Sequence, residues 1–175
     1  METLQRNRLI VLFEGIAFTI LGLLAIAFPV IFTFGFEQFL GWLFVFSGVF
    51  QGFRSFKTRN SPGFMLSVLT GLVAIGLGAL LIAKPLEGVL TLTILLSSFF
   101  FIEGILKIFL ALEWRLYRNW GWMLFSGVIS LVMAGIIISG FPGTALWVLG
   151  LLVGINMIFF GMTLFGLFIE LKRKL

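Results

Sequence analysis

Six apolar runs, each about as long as a bilayer is thick, constrain this chain more than any other feature. They cover residues 9–28, 36–53, 64–83, 88–112, 120–139 and 143–169. A helix needs about 20 residues to cross a hydrocarbon core of about 30 Å. Helices of a soluble bundle would carry a polar face, and none of these runs has one. The extra length of the fourth and sixth predicts tilt, or helix ends that reach the interface. Composition agrees. The chain is 61% hydrophobic and 11% charged, where soluble domains are roughly 45–50% apolar and about 25% charged. The expected fold is an all-α integral membrane protein, with one transmembrane domain over residues 1–175. The first run is too long for a signal-peptide core and no small-residue cleavage site follows it, so it reads as an uncleaved anchor.

The basic residues give an orientation. Ten of the twelve lysines and arginines are Arg6, Arg8, Arg54, Lys57, Arg59, Arg115, Arg118, Lys172, Arg173 and Lys174, at the termini or in two connections. The opposite side has one, Lys84. This bias predicts a multi-pass protein with both termini and the loops 54–63 and 113–119 in the cytoplasm, facing anionic lipid. It also accounts for the basic charge without nucleic acid as a partner. Trp114, Tyr117, Trp120 and Trp122 cluster at the fourth–fifth connection. An interfacial aromatic belt explains them better than a stacking platform for sugars or bases.

The residue types that are missing restrict the chemistry. The sequence has no His, no Cys and no Asp. That removes thiol nucleophiles, Ser-His-Asp triads, and zinc sites built on His or Cys. The expectation is a non-enzyme with no metal and no cofactor. Ser–Lys or glutamate chemistry inside the membrane is the enzymatic alternative.

An internal period underlies the six runs. Pro29, Pro85 and Pro142 lie one in each short connection, 56 and 57 residues apart. Seven residues before them stand Gly22, Gly78 and Gly135. Twelve after stand Gly41, Ser97 and Gly154, and nineteen after stand Gly48, Gly104 and Gly161. Fourteen before are Gly15 and Gly71, with Gly127 one residue further from its proline. Glycine is frequent, 21 of 175 residues, so one coincidence carries no weight; the joint match at four offsets does. The runs read as three tandem hairpins of one orientation, residues 9–56, 64–112 and 120–169, with a pseudo-threefold repeat. The prolines mark the hairpin turns. The small residues, two turns apart, form a stripe on each helix along which backbones can approach in lipid.

The pattern EGIAFTILGLLAIAFP, TGLVAIGLGALLIAKP and SGVISLVMAGIIISGFP, with LGWLFVFSGVFQGF, SSFFFIEGILKIF and LGLLVGINMIFFG after the turns, resembles the HdeD-like acid-resistance membrane proteins. The resemblance covers nearly the whole chain. It implies a prokaryotic plasma-membrane protein linked to acid or general stress resistance, and it brings no catalytic residues.

Three charges fall well inside the runs: Glu14, Glu103 and Lys107. Ionisable residues at membrane depth are expensive and mark function. With no histidine present, buried glutamate is the side chain able to change charge between neutral pH and mild acid, so Glu14 and Glu103 are the candidate proton-responsive groups. The structural alternative is a satisfied hydrogen bond or ion pair, and Lys107, four residues after Glu103, is the candidate ion-pair partner. The reading favours Lys107 snorkelling to the cytoplasmic interface and leaving Glu103 desolvated. The function expected is a stress-linked membrane protein of unassigned mechanism. A small channel or transporter along the pseudo-threefold axis is the alternative, with an assembly scaffold, including a homo-oligomer, behind it. Few polar residues are available to wet a lumen.

Overall fold

The computed structural model describes residues 2–57, 63–115 and 120–173. Thr58, Arg59, Tyr117, Arg118 and Lys174, which carry part of the orientation argument and of the aromatic belt, lie outside the described residues. Among the described residues the regular structure is six helices: α1 (Glu2–Ala27), α2 (Pro29–Lys57), α3 (Phe64–Ala83), α4 (Pro85–Glu113), α5 (Trp120–Ser139) and α6 (Ala145–Arg173). All six are long and apolar enough to cross a membrane. Long apolar side chains such as Phe50, Met65 and Phe109 point outward, as a lipid-facing surface requires.

The proline connections are tighter than the apolar runs suggest. Helices α2 and α4 begin at Pro29 and Pro85 themselves, not at residues 36 and 88. Proline suits the first helical position, where its missing N–H costs no hydrogen bond and its fixed φ is already helical. One residue then suffices as the break. Lys84 has φ −135° and ψ 70°, while its N–H still reaches the Leu80 carbonyl at 3.0 Å. The third connection is longer. Five residues, 140–144, separate α5 from α6, with a cis Phe141–Pro142 bond. The Thr144 hydroxyl donates to the Ile137 carbonyl at 2.7 Å.

The chain divides into two compact units, Met1–Thr33 with Trp147–Leu175, and Phe34–Leu146. In the first unit α1 lies along α6. A Cβ placed on Gly22 would stand 2.7 Å from the Gly154 carbonyl oxygen, and one on Gly161 would stand 2.9 Å from that of Gly15. The Phe18 and Phe160 rings meet edge to face, 4.8 Å apart. The Gly150 N–H donates to the buried Thr33 hydroxyl at 2.8 Å.

The second unit repeats this device twice. Along α2 and α3, a Cβ on Gly48 would stand 2.6 Å from the Gly71 carbonyl oxygen, and one on Gly78 would stand 2.6 Å from that of Gly41. Along α4 and α5, Gly104 and Gly127 face each other's carbonyls at 2.9 and 3.0 Å by the same measure. There Ser97 donates to the Ala134 carbonyl at 3.2 Å. Real side chains cannot occupy such gaps, so the backbones touch only because the side chains are missing.

One small residue leaves the pattern. Gly135, expected on the α5 stripe, has open space where a Cβ would stand, and Ala134 is buried instead. The third copy has one extra residue before Pro142. The longer 140–144 turn absorbs it, so α5 keeps its seven-residue stripe as Gly127 and Ala134. Counting back from the proline lands one residue too far along.

Candidate functional site

The charged groups at membrane depth in the second unit are handled in two ways. Glu103 and Lys107 form an ion pair at 2.7 Å with side chains 29% and 33% exposed. The ammonium also donates to the Ser126 hydroxyl on α5 at 3.0 Å. The four-residue spacing on α4 places the two on one face, and the seam brings Ser126 within reach. Lys107 therefore does not leave Glu103 for the interface: two acceptors hold the ammonium between α4 and α5. Glu14, the other glutamate singled out from the sequence, lies exposed on α1 in the first unit.

Glu37 is the contrasting case. It is fully buried, and neither carboxyl oxygen has a hydrogen-bond partner. The carboxyl group lies against Gly88 in the first turns of α4, where a Cβ would collide with Oε1 and would stand 2.9 Å from Leu81 Cδ2 of α3. Buried polar side chains with no partner are rare and each requires a reason.

The other buried polar groups of this unit are satisfied. Thr93 donates to the Val89 carbonyl at 2.9 Å, and Ser130 to that of Ser126 at 3.1 Å. With Ser97 and Thr144, each hydroxyl proton goes to a backbone carbonyl. Among the described residues, no three of the side chains His, Cys, Asp or Glu converge as a metal site would need.

Sequence reasoning missed Glu37 because it placed the start of the second helix at residue 36, which leaves Glu37 at the water interface. Two signals point inward. Proline at the first helical position starts α2 at residue 29 and carries Glu37 eight residues, about 12 Å, into the helix. The repeat agrees: eight residues after their prolines stand Glu37, Thr93 and Gly150, all buried.

Known proteins bear on these observations. The family described as a short repeat of unknown function (DUF308) matches twice, at residues 13–83 and 69–139. The second match starts 56 residues after the first, which is the spacing of Pro29 and Pro85. The chain is 25% identical over 171 residues to Protein HdeD of Escherichia coli (strain K12), spanning 95% of this chain and 88% of that protein. HdeD proteins of Escherichia coli O157:H7 and Shigella flexneri match to the same extent. No solved structure matches. With the repeat matched over most of its length and six helices able to cross a bilayer, the chain belongs to the DUF308 short-repeat family and is an HdeD-like membrane protein.

Proposed function

We propose that this protein acts, without catalysis, in resistance to acid or envelope stress, as a multi-pass protein of a prokaryotic plasma membrane. The observation that carries this reading is the end-to-end similarity to HdeD. The interior of the second unit supports a packed protein over a water-filled path, since its buried hydroxyls spend their protons on backbone carbonyls. The three glycine-lined pairings share repeat offsets, which favours three hairpins built from one repeated unit. Both termini lie in the cytoplasm in this reading, and the basic loops meet anionic lipid there.

The test is survival of a deletion strain after a shift from neutral to acid medium. Loss of survival, restored by a plasmid copy, is the expected result, and survival equal to wild type overturns the reading. Proteoliposomes should show no solute flux at either pH; measurable flux would favour a channel. Orientation has its own check, because the chain has no native cysteine. Glu87→Cys, just past the Lys84 turn, should react with an impermeant reagent from outside, and Thr58→Cys only after permeabilisation. The reverse pattern inverts the topology.

A further inference from the structure

We propose that Glu37 is an internal proton-binding site whose ionisation loosens the contact between α2 and the start of α4, and whose protonation closes it. This deepens the acid-stress reading by naming the group through which acid would act, and it rests on that reading for its physiological meaning.

Glu37 lacks a hydrogen-bond partner in either charge state. As a carboxylate, Glu37 has no donor to satisfy it. As a carboxylic acid, it has no acceptor for its proton. The state shown is a packed one, with both oxygens sealed from solvent. A metal cation would need further ligands, and among the described residues no three His, Cys, Asp or Glu side chains converge. A proton needs no cavity.

The charged groups around Glu37 do not compensate its ionised form. Helix α3 has no charged residue between Phe64 and Ala83. At its end Lys84 is bound to Glu87 of α4 at 2.8 Å, and both side chains are well exposed, at 60% and 59%. Further along α4, Glu103 and Lys107 hold each other, and Glu113 ends the helix. On α2 the nearest basic residue is Arg54, seventeen positions away, or about 25 Å along the helix.

A dry carboxylate is costly, so ionisation must be met by water. The weak point for its entry is Gly88, where only a missing side chain keeps the two helices in contact with the carboxyl group. Acid reverses the process: the carboxylate takes one proton from water, becomes neutral, and the contact repacks. No other bond changes.

The experiment uses the purified full-length protein. An infrared difference spectrum between neutral and mildly acid buffer reads the carbonyl stretch of a newly protonated carboxylic acid. A band should appear in wild type, vanish in Glu37→Gln, and persist in Glu14→Gln and in Glu103→Gln. No band, or one unchanged in Glu37→Gln, overturns the proposal. Gly88→Ala keeps the carboxyl group but crowds it, so its band should shift in frequency; an unshifted band overturns the proposal even where Glu37→Gln fails to fold. Thermal melting gives a second readout. Wild type should melt higher in acid than at neutral pH, with that gain absent from Glu37→Gln, and equal gains in both overturn the proposal. A deletion strain that survives acid as wild type does would sink the stress reading while leaving the infrared assignment intact. A sensitive strain with no Glu37 band would do the opposite.

Discussion

Glu103 and Glu37 sit in the same unit, both on long apolar helices, and the fold treats them differently. Glu103 has Lys107 one turn ahead, and the α4–α5 seam adds Ser126, so the charge stays with a partner in a half-buried place. Glu37 has Gly41 one turn ahead, and that position is taken by the seam with α3. Its carboxyl group lies against Gly88, which has no side chain to offer it a hydrogen bond. The difference shows that a charge in a membrane helix is not informative by itself. What decides its role is whether the next turn supplies a partner or a packing surface.

The largest effect should come from breaking the seam that holds the paired site. In Gly104→Leu, the first added carbon alone would stand 2.9 Å from the Gly127 carbonyl oxygen and 2.7 Å from Leu131. The helices must separate, which also pulls Lys107 from Ser126. We expect a loss at or beyond the upper end of the roughly 1–3 kcal/mol typical of overpacking, read as a large fall in melting temperature or in yield of folded protein. Wild-type stability in this variant would mean that α4 and α5 do not meet there.

Removing a charge comes next. Lys107→Met leaves Glu103 half-buried without its ammonium. Exposed pairs contribute about 0–1 kcal/mol and broken buried pairs cost about 3–5. At about one-third exposure the expected loss is about 1–2 kcal/mol at neutral pH, between those limits. The double variant Glu103→Gln with Lys107→Met should recover most of the loss, and additive losses would show that the two side chains do not interact. Glu37→Gln should change stability in acid by less than this, since glutamine resembles the neutral carboxyl group in shape. Its signature is the missing pH response.

How far the sequence could go is visible in these same residues. The six helices and the 56-residue period were legible, because lipid imposes a length and a composition, but the start of α2 was not, since it lies at Pro29, seven residues before the apolar run at residue 36. The Glu103–Lys107 pairing was legible as a possibility, since it needs only the four-residue spacing. Its closure was not, because Ser126 lies on another helix and enters only through the seam. The stripe of small residues was legible too, but not its partner. Spacing alone does not say that Gly78 meets Gly41, or that Gly22 meets Gly154. Gly135 shows the limit of counting: one inserted residue in a turn moves the register by one, and only the packed helix reveals where it was absorbed. Glu37 was hidden by hydropathy itself, since a charge near the end of an apolar run looks like the end of the run.

The smallest effect tests the seam from its other side. Leu77 precedes Gly78 on α3 and is 50% exposed, on the surface that faces lipid. Successive helical residues point about 100° apart, so enlargement at one position meets a neighbouring backbone and enlargement at the other meets mobile acyl chains. Leu77→Phe should therefore fall within about ±0.5 kcal/mol of wild type, as substitutions away from packed features do. Gly78→Leu should resemble Gly104→Leu, because its first added carbon would stand 2.6 Å from the Gly41 carbonyl oxygen and 2.8 Å from Val45. The measurement is thermal melting of the two variants in the same detergent, beside wild type. A wide gap between them places the tight contact on one face of α3. Equal tolerance would mean that Gly78 faces lipid as Leu77 does. The close approach of α2 and α3, and with it the explanation for glycine at that repeat position, would then be wrong.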